Sequence, residues 1–138
     1  EVGWALQGLA IRKKVLLELG GNAAVIVHRD ADLERAASRV AAGGFAYAGQ
    51  TCISVQRVLV HHEVAERFER ALVAAAQRLG VGDPDLASTV CGPLIHEAAA
   101  DRIQDWIFDA EARGAQTLLR GEREGRVLSP VILKNVPL

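Results

Sequence analysis

The sequence predicts an α/β fold, a mostly parallel sheet with flanking helices. Short apolar runs rich in Val, Ile and Leu, bounded by glycine or polar clusters, recur along the chain. Between them lie longer segments whose apolar residues repeat at helical spacing. No repeat or linker divides the 138 residues, a length that suits one domain. Strands alternating with long helices argue for βαβ crossovers, which parallel strands require.

The elements follow in order. Val15-Leu16-Leu17-Glu18-Leu19, closed by Gly20-Gly21, and Ala23-Ala24-Val25-Ile26-Val27, closed by His28-Arg29-Asp30, read as two buried strands. Asp30 or Asp32 then caps a helix carrying Leu33, Ala36, Ala37, Val40, Ala41, Gly44, Phe45 and Ala48 on one face, the strongest periodic signal in the chain. Gln56 to His61 reads as a third strand. A second helix has Val64, Phe68, Leu72, Ala75 and Leu79 along one stripe, and Gly80 and Gly82 end it before the turn at Asp83-Pro84-Asp85. A third helix follows Gly92-Pro93, with Ile95, Ala99, Ile103, Trp106, Ile107 and Ala110 on one face and Gly114 at its exit. Gln116 to Arg120 and Val131 to Lys134 are strands around a polar hairpin or loop, Gly121 to Arg126.

Composition narrows the function. Sixteen Lys and Arg stand against seventeen Asp and Glu, so neither a basic surface for nucleic acid nor an acidic tail is expected. No apolar run approaches the roughly 18–20 residues of a membrane span, and the first residues lack the pattern of a signal peptide. Two cysteines are too few for a disulfide framework and suit a reducing cytosol, so a soluble cytoplasmic protein is expected. The chain contains no Met, opens on Glu1 and stops just after an apolar run. It is therefore expected to be a segment of something longer.

Two residues could carry chemistry. Glu18 ends an apolar run, beside a glycine pair that lets a ligand approach the backbone. It is either a general base bordered by apolar side chains or a carboxylate on a solvated strand face. Cys52 lies past the end of the best helix, in a loop opened by Gly49, where a thiol is either a nucleophile or an inert buried filler. Cys91 reads as filler. His61 and His62, adjacent on a strand, should point to opposite faces; His28 and His96 stand alone, and no spacing matches a zinc site, so no metal is expected. Glu66 and Arg70 belong to an ordinary solvated helix face.

Taken together, Leu17-Glu18-Leu19-Gly20-Gly21-Asn22 and Phe45-x-x-x-Gly49-Gln50-Thr51-Cys52, with Cys52 34 residues after Glu18, resemble the glutamate and cysteine signatures of the NAD(P)-dependent aldehyde dehydrogenase superfamily. Glu1-Val2-Gly3 resembles the end of its coenzyme motif, and Asp30-Ala31-Asp32-Leu33, Val81-Gly82-Asp83-Pro84 and Cys91-Gly92-Pro93-Leu94-Ile95 resemble later landmarks. The resemblance covers the whole chain. It implies a single partial catalytic domain over residues 1–138, with 1–20 belonging to the end of the coenzyme-binding domain. It further implies Cys52 as nucleophile, Glu18 as the base that activates water, and the Cys52 N–H as an oxyanion donor. Val2, Gly3, Leu19 and Gly20 would lie at the NAD or NADP, and Thr51 and Ile53 would line the substrate pocket.

The implied reaction is oxidation of an aldehyde to an acid through a thiohemiacetal and a thioester, by a parent homodimer or homotetramer, and the chain alone is expected to reduce no NAD(P). Glu18 weighs against the branch that hands its thioester to coenzyme A. The run Gln50 to Arg57 looks most like members acting on small oxygenated or phospho-substituted aldehydes. Two positions depart from the family pattern: Ala99 stands where many members carry a Gln reaching the ribose, and Ser54 where Ala, Gly or Cys is more usual. The rival expectations are a catalytically silent fold or interaction fragment, and a cysteine hydrolase or acyltransferase with a histidine at Cys52.

Overall fold

The computed structural model describes residues 2–137; Glu1, the first residue of the opening motif, and Leu138 lie outside them. The chain begins with α1 (Val2–Leu9), a helix that sequence patterning does not reveal because it has no polar face. Only its Gly3 is buried. Residues 14–22 then run without helix or ladder partner. The expected strand Val15–Leu19 is thus not formed, and Val15, Leu16 and Leu19 are exposed: apolar character here does not reflect burial within this chain.

β1 (Ala23–Val27) and β2 (Val55–Val60) pair in parallel, with Val25 opposite Val58 and Val27 opposite Val60. The crossover between them is α2 (Leu33–Phe45). Asp32, not Asp30, caps it, its side chain accepting from the Arg35 N–H at 3.1 Å. Asp30 is engaged elsewhere, 2.8 Å from His28 Nδ1, and that hydrogen bond holds its carboxyl below the usual range. The expected helical stripe stops three residues short of Ala48. After Phe45 the chain enters a short 3-10 turn in which Tyr47, Ala48 and Gly49 are all left-handed, with φ of 54°, 55° and 71°. Two non-glycine residues in that region store local strain of about 1–2 kcal/mol each.

α3 (Ala65–Gln77) lies against α2, burying Phe68, Ala71, Leu72, Ala75 and Ala76 against Ala37, Val40, Ala41 and Val27. The alanines let the helices close on one aromatic ring. Phe68 is 1% exposed, so Phe68→Ala is expected to cost about 3–5 kcal/mol, read as a lowered denaturant midpoint with an unchanged slope. β3 (Gly80–Val81) and β4 (Thr89–Cys91) form a second parallel pair around the turn at Asp83. β4 packs against the left-handed turn at 46–49.

α4 (Glu97–Ala112) is capped by His96, whose Nδ1 accepts from the Ala99 N–H at 3.0 Å. Its buried face is narrower than the sequence stripe implies. Ala99 and Ala100 join Leu94 in a small second core, whereas Ile95 and Trp106 are exposed, Trp106 lying under the Arg102 guanidinium. β5 (Gln116–Leu119) pairs with β8 (Ile132–Lys134), and between them β6 (Arg123–Glu124) and β7 (Val127–Leu128) form a hairpin. Both pairs are antiparallel, because a short turn through Gly125, φ 56°, reverses the chain where a parallel pairing would need a crossover. The α/β class therefore holds, with parallel pairing confined to β1–β2 and β3–β4 among the described residues.

Candidate active site

The Cys52 turn is positioned from three sides. Its own backbone closes from Ser54 N–H to the Thr51 carbonyl at 3.1 Å, leaving Cys52 at the apex and its side chain exposed. Behind it Ser54, the one buried polar residue among those described, donates from Oγ to the Gly44 carbonyl at 3.1 Å and accepts from the Gln56 amide at 2.8 Å. Ser54 thereby ties the turn to the last turn of α2. The sequence marked it only as a departure from the family pattern; its physical signal is a small polar residue two positions from the thiol, directly before the first residue of β2.

The third side is the glycine pair. Gly21 lies so close to the main chain of Cys52 that an added methyl would overlap the Cys52 carbonyl oxygen. The β1–β2 register continues this approach, and Arg57 donates to the Asn22 carbonyl at 3.3 Å. Two motifs far apart in sequence thus run side by side. Further along the same segment, Leu19 reaches Gly3 of α1, where a Cβ would stand 2.8 Å from Leu19 Cδ2 and 3.8 Å from Leu17 Cδ1. Two close approaches, Gly3 with Leu19 and Gly21 with Cys52, thus lie along one line of chain, residues 17–21.

Glu18 sits on that line but is exposed, so the apolar wall expected from Leu17 and Leu19 does not enclose it. Gly20 has open space around its Cα, Val2 and Ile53 are exposed, and Thr51 is half-buried. Among the described residues the Cys52 main-chain N–H donates to no backbone acceptor, which leaves it available to a ligand oxygen.

Other candidates separate cleanly. Cys91 is buried, its thiol directed at the Leu128 carbonyl 3.6 Å away, and burial pushes its pKa up; both make it a poor nucleophile. Histidines do not serve Cys52: His28 bonds Asp30, His61 the Glu63 N–H, and His96 caps α4. His61 and His62 also fail to face opposite sides. β2 ends at Val60, so strand alternation never reaches them. Ala99 is locked in the second core and presents no group to a ribose. A cavity of about 580 Å³ between the start of α2 and α3 is lined by Leu33, Arg67 and Ala71 and contains neither Glu18 nor Cys52.

Comparison with known proteins decides the family. The model of the aldehyde dehydrogenase family matches residues 2–138. The chain belongs to the aldehyde dehydrogenase family. A 3-sulfolactaldehyde dehydrogenase of Priestia megaterium is 44% identical over 135 residues, covering 98% of this chain and 28% of that protein. The NADP-dependent glyceraldehyde-3-phosphate dehydrogenase of Streptococcus equinus is 38% identical, with the same coverage. Among solved structures, the succinate-semialdehyde dehydrogenase of Burkholderia pseudomallei superposes with a TM-score of 0.90 at 38% identity, over 99% of this chain and 29% of that one. This aldehyde dehydrogenase chain thus spans somewhat over a quarter of the length of these relatives. No helix among its described residues is long and apolar enough to cross a membrane.

Proposed function

We propose that this chain carries the thiol and the base of an NAD(P)-dependent aldehyde dehydrogenase that forms a carboxylic acid. The observation that carries the reading is the packing of Gly21 against the Cys52 carbonyl, which holds the Glu18 segment beside an exposed thiol. In its thiolate form Cys52 adds to the aldehyde carbon, making the C–S bond of a thiohemiacetal. The Cys52 N–H meets the oxygen on which charge develops. Val2, Gly3, Leu19 and Gly20 would hold the nicotinamide end of the cofactor: Val2 and Leu19 offer exposed apolar side chains and Gly20 has open space at its Cα, while Gly3 is buried and lets the Leu19 side chain pack against α1. Held there, NAD or NADP would supply the hydride acceptor that oxidation of the thiohemiacetal to a thioester requires. Glu18 takes a proton from water as its oxygen attacks the thioester carbon, and the thiolate leaves with the carboxylic acid formed.

The substrate class we infer is a small aldehyde bearing an acidic substituent. Support comes from relatives named for sulfolactaldehyde, sulfoacetaldehyde, glyceraldehyde 3-phosphate and succinate semialdehyde. Thr51 and Ile53 flank the thiol and would touch that substrate, with the rest of its pocket supplied outside this segment. Cytoplasmic location and a homodimeric or homotetrameric parent belong to the same reading.

An activated ester tests the two steps that reside in this chain, because it acylates the thiol without hydride transfer. Glu18→Gln is expected to keep the acylation burst and to slow steady-state hydrolysis by about 10²–10⁴-fold, the usual worth of a positioned base. Steady-state turnover equal to wild type would sink the role given to Glu18.

A further inference from the structure

We propose that His28, His61, His62 and Glu63 form a binding site for one divalent transition-metal ion of the zinc, nickel or copper class. The site lies at the carboxyl ends of β1 and β2. The Cys52 turn sits at their amino ends, about 20 Å away at roughly 3.3 Å per residue over the length of β2. It has no part in the chemistry proposed above.

The local backbone brings these groups together. β2 stops at Val60, and His62 begins a short 3-10 turn, His62–Val64. Instead of alternating, the rings of His61 and His62 stack on one side at 4.5 Å and 25°. Ligand atoms of His61, His62 and Glu63 all lie within 4.8 Å of one another. The parallel ladder supplies the fourth group. The His61 N–H donates to the Val27 carbonyl at 2.9 Å, which sets His28, the residue following β1, beside His61 with ring centroids 5.3 Å apart at 71°.

Tautomers favour ligation. His28 Nδ1–H donates to the Asp30 carboxylate at 2.8 Å, leaving the Nε2 lone pair free; a carboxylate behind an imidazole is the usual outer support of a metal-binding histidine. His61 Nδ1 accepts only a long 3.3 Å bond from the Glu63 N–H, which coordination through that atom would replace. Three imidazoles and one carboxylate make a four-donor set suited to zinc and its neighbours rather than to calcium or magnesium, which take oxygen ligands. His28, His62 and Glu63 are exposed and His61 half-buried, so their side chains are free to rotate and bring His28 to the His61, His62 and Glu63 group around an ion.

Isothermal titration with zinc chloride and with nickel chloride, on the Cys52→Ala chain so that the exposed thiol does not contribute, tests the site. One ion per chain is expected to bind saturably. His62→Ala or His28→Ala should weaken it at least tenfold, and Asp30→Asn by about tenfold through loss of the supporting carboxylate. All three side chains are exposed, so circular dichroism should match the parent. Absence of saturable binding up to millimolar metal overturns the site, and so does binding of equal strength in a His28→Ala, His62→Ala double variant.

Discussion

Replacing Cys52 with Ala is expected to reduce aldehyde oxidation by the parent enzyme, and activated-ester hydrolysis by this chain, to the uncatalysed background. A fall of at least about 10⁴-fold corresponds to more than about 5 kcal/mol of lost transition-state stabilisation. The expectation is large because the chain's other thiol, Cys91, is buried and directed at a carbonyl, and no described histidine hydrogen-bonds Cys52 to activate a neighbouring hydroxyl in its place. The exposed thiol also gives a measurement independent of turnover. Iodoacetamide should label Cys52 and spare Cys91 in the folded chain, with mass spectrometry of peptides reading the site. Substantial turnover by Cys52→Ala, or equal labelling of both cysteines in the native state, would remove the assigned nucleophile.

Gly21→Ala should disable the same site without touching a reacting group. The added methyl would occupy the space of the Cys52 carbonyl oxygen, main-chain atoms that cannot swing aside as a flexible side chain can. Either the start of the β1–β2 ladder or the Cys52 turn must move. Overpacking of this kind costs about 1–3 kcal/mol, and a shift of about 1 Å at a nucleophile costs about 10²-fold in rate. The neighbouring glycine is the control for stability. A methyl added at Gly20 would meet nothing within 4 Å, so Gly20→Ala should melt at the wild-type temperature while Gly21→Ala melts lower. Identical melting of the two variants would refute the close approach that joins the motifs.

Much of this was legible in the sequence, for reasons that differ by element. α2 and α3 were readable because their apolar stripes face one another inside the chain, and the sequence narrowed the cap to Asp30 or Asp32, of which the fold uses Asp32. The Glu18 and Cys52 motifs were legible as a pair, and parallel pairing of the strands that follow them is what sets them side by side. Val15–Leu19, Ile95 and Trp106 misled because an apolar residue reports a need for cover, not where the cover comes from. α1 was hidden by its uniform apolarity, and the histidine cluster by a strand ending one residue early. Ser54 eluded motif reading because its partners, Gly44 and Gln56, are chosen by the fold of the turn.

The parallel register of β1 and β2 also governs when such a site can come into being. Ala23 meets Val55, 32 positions further along the chain, a closure whose entropic cost is about 3 kcal/mol beyond the constant term. No local hairpin shortens that path, so α2 is expected to form and dock before the glycine pair reaches the cysteine turn. The glycine pair and the Cys52 turn are therefore expected to be apart in the early, collapsed chain. Their meeting is expected to come late, and variants that loosen the contact between α2 and α3 should delay the appearance of a reactive site more than they delay the appearance of helix.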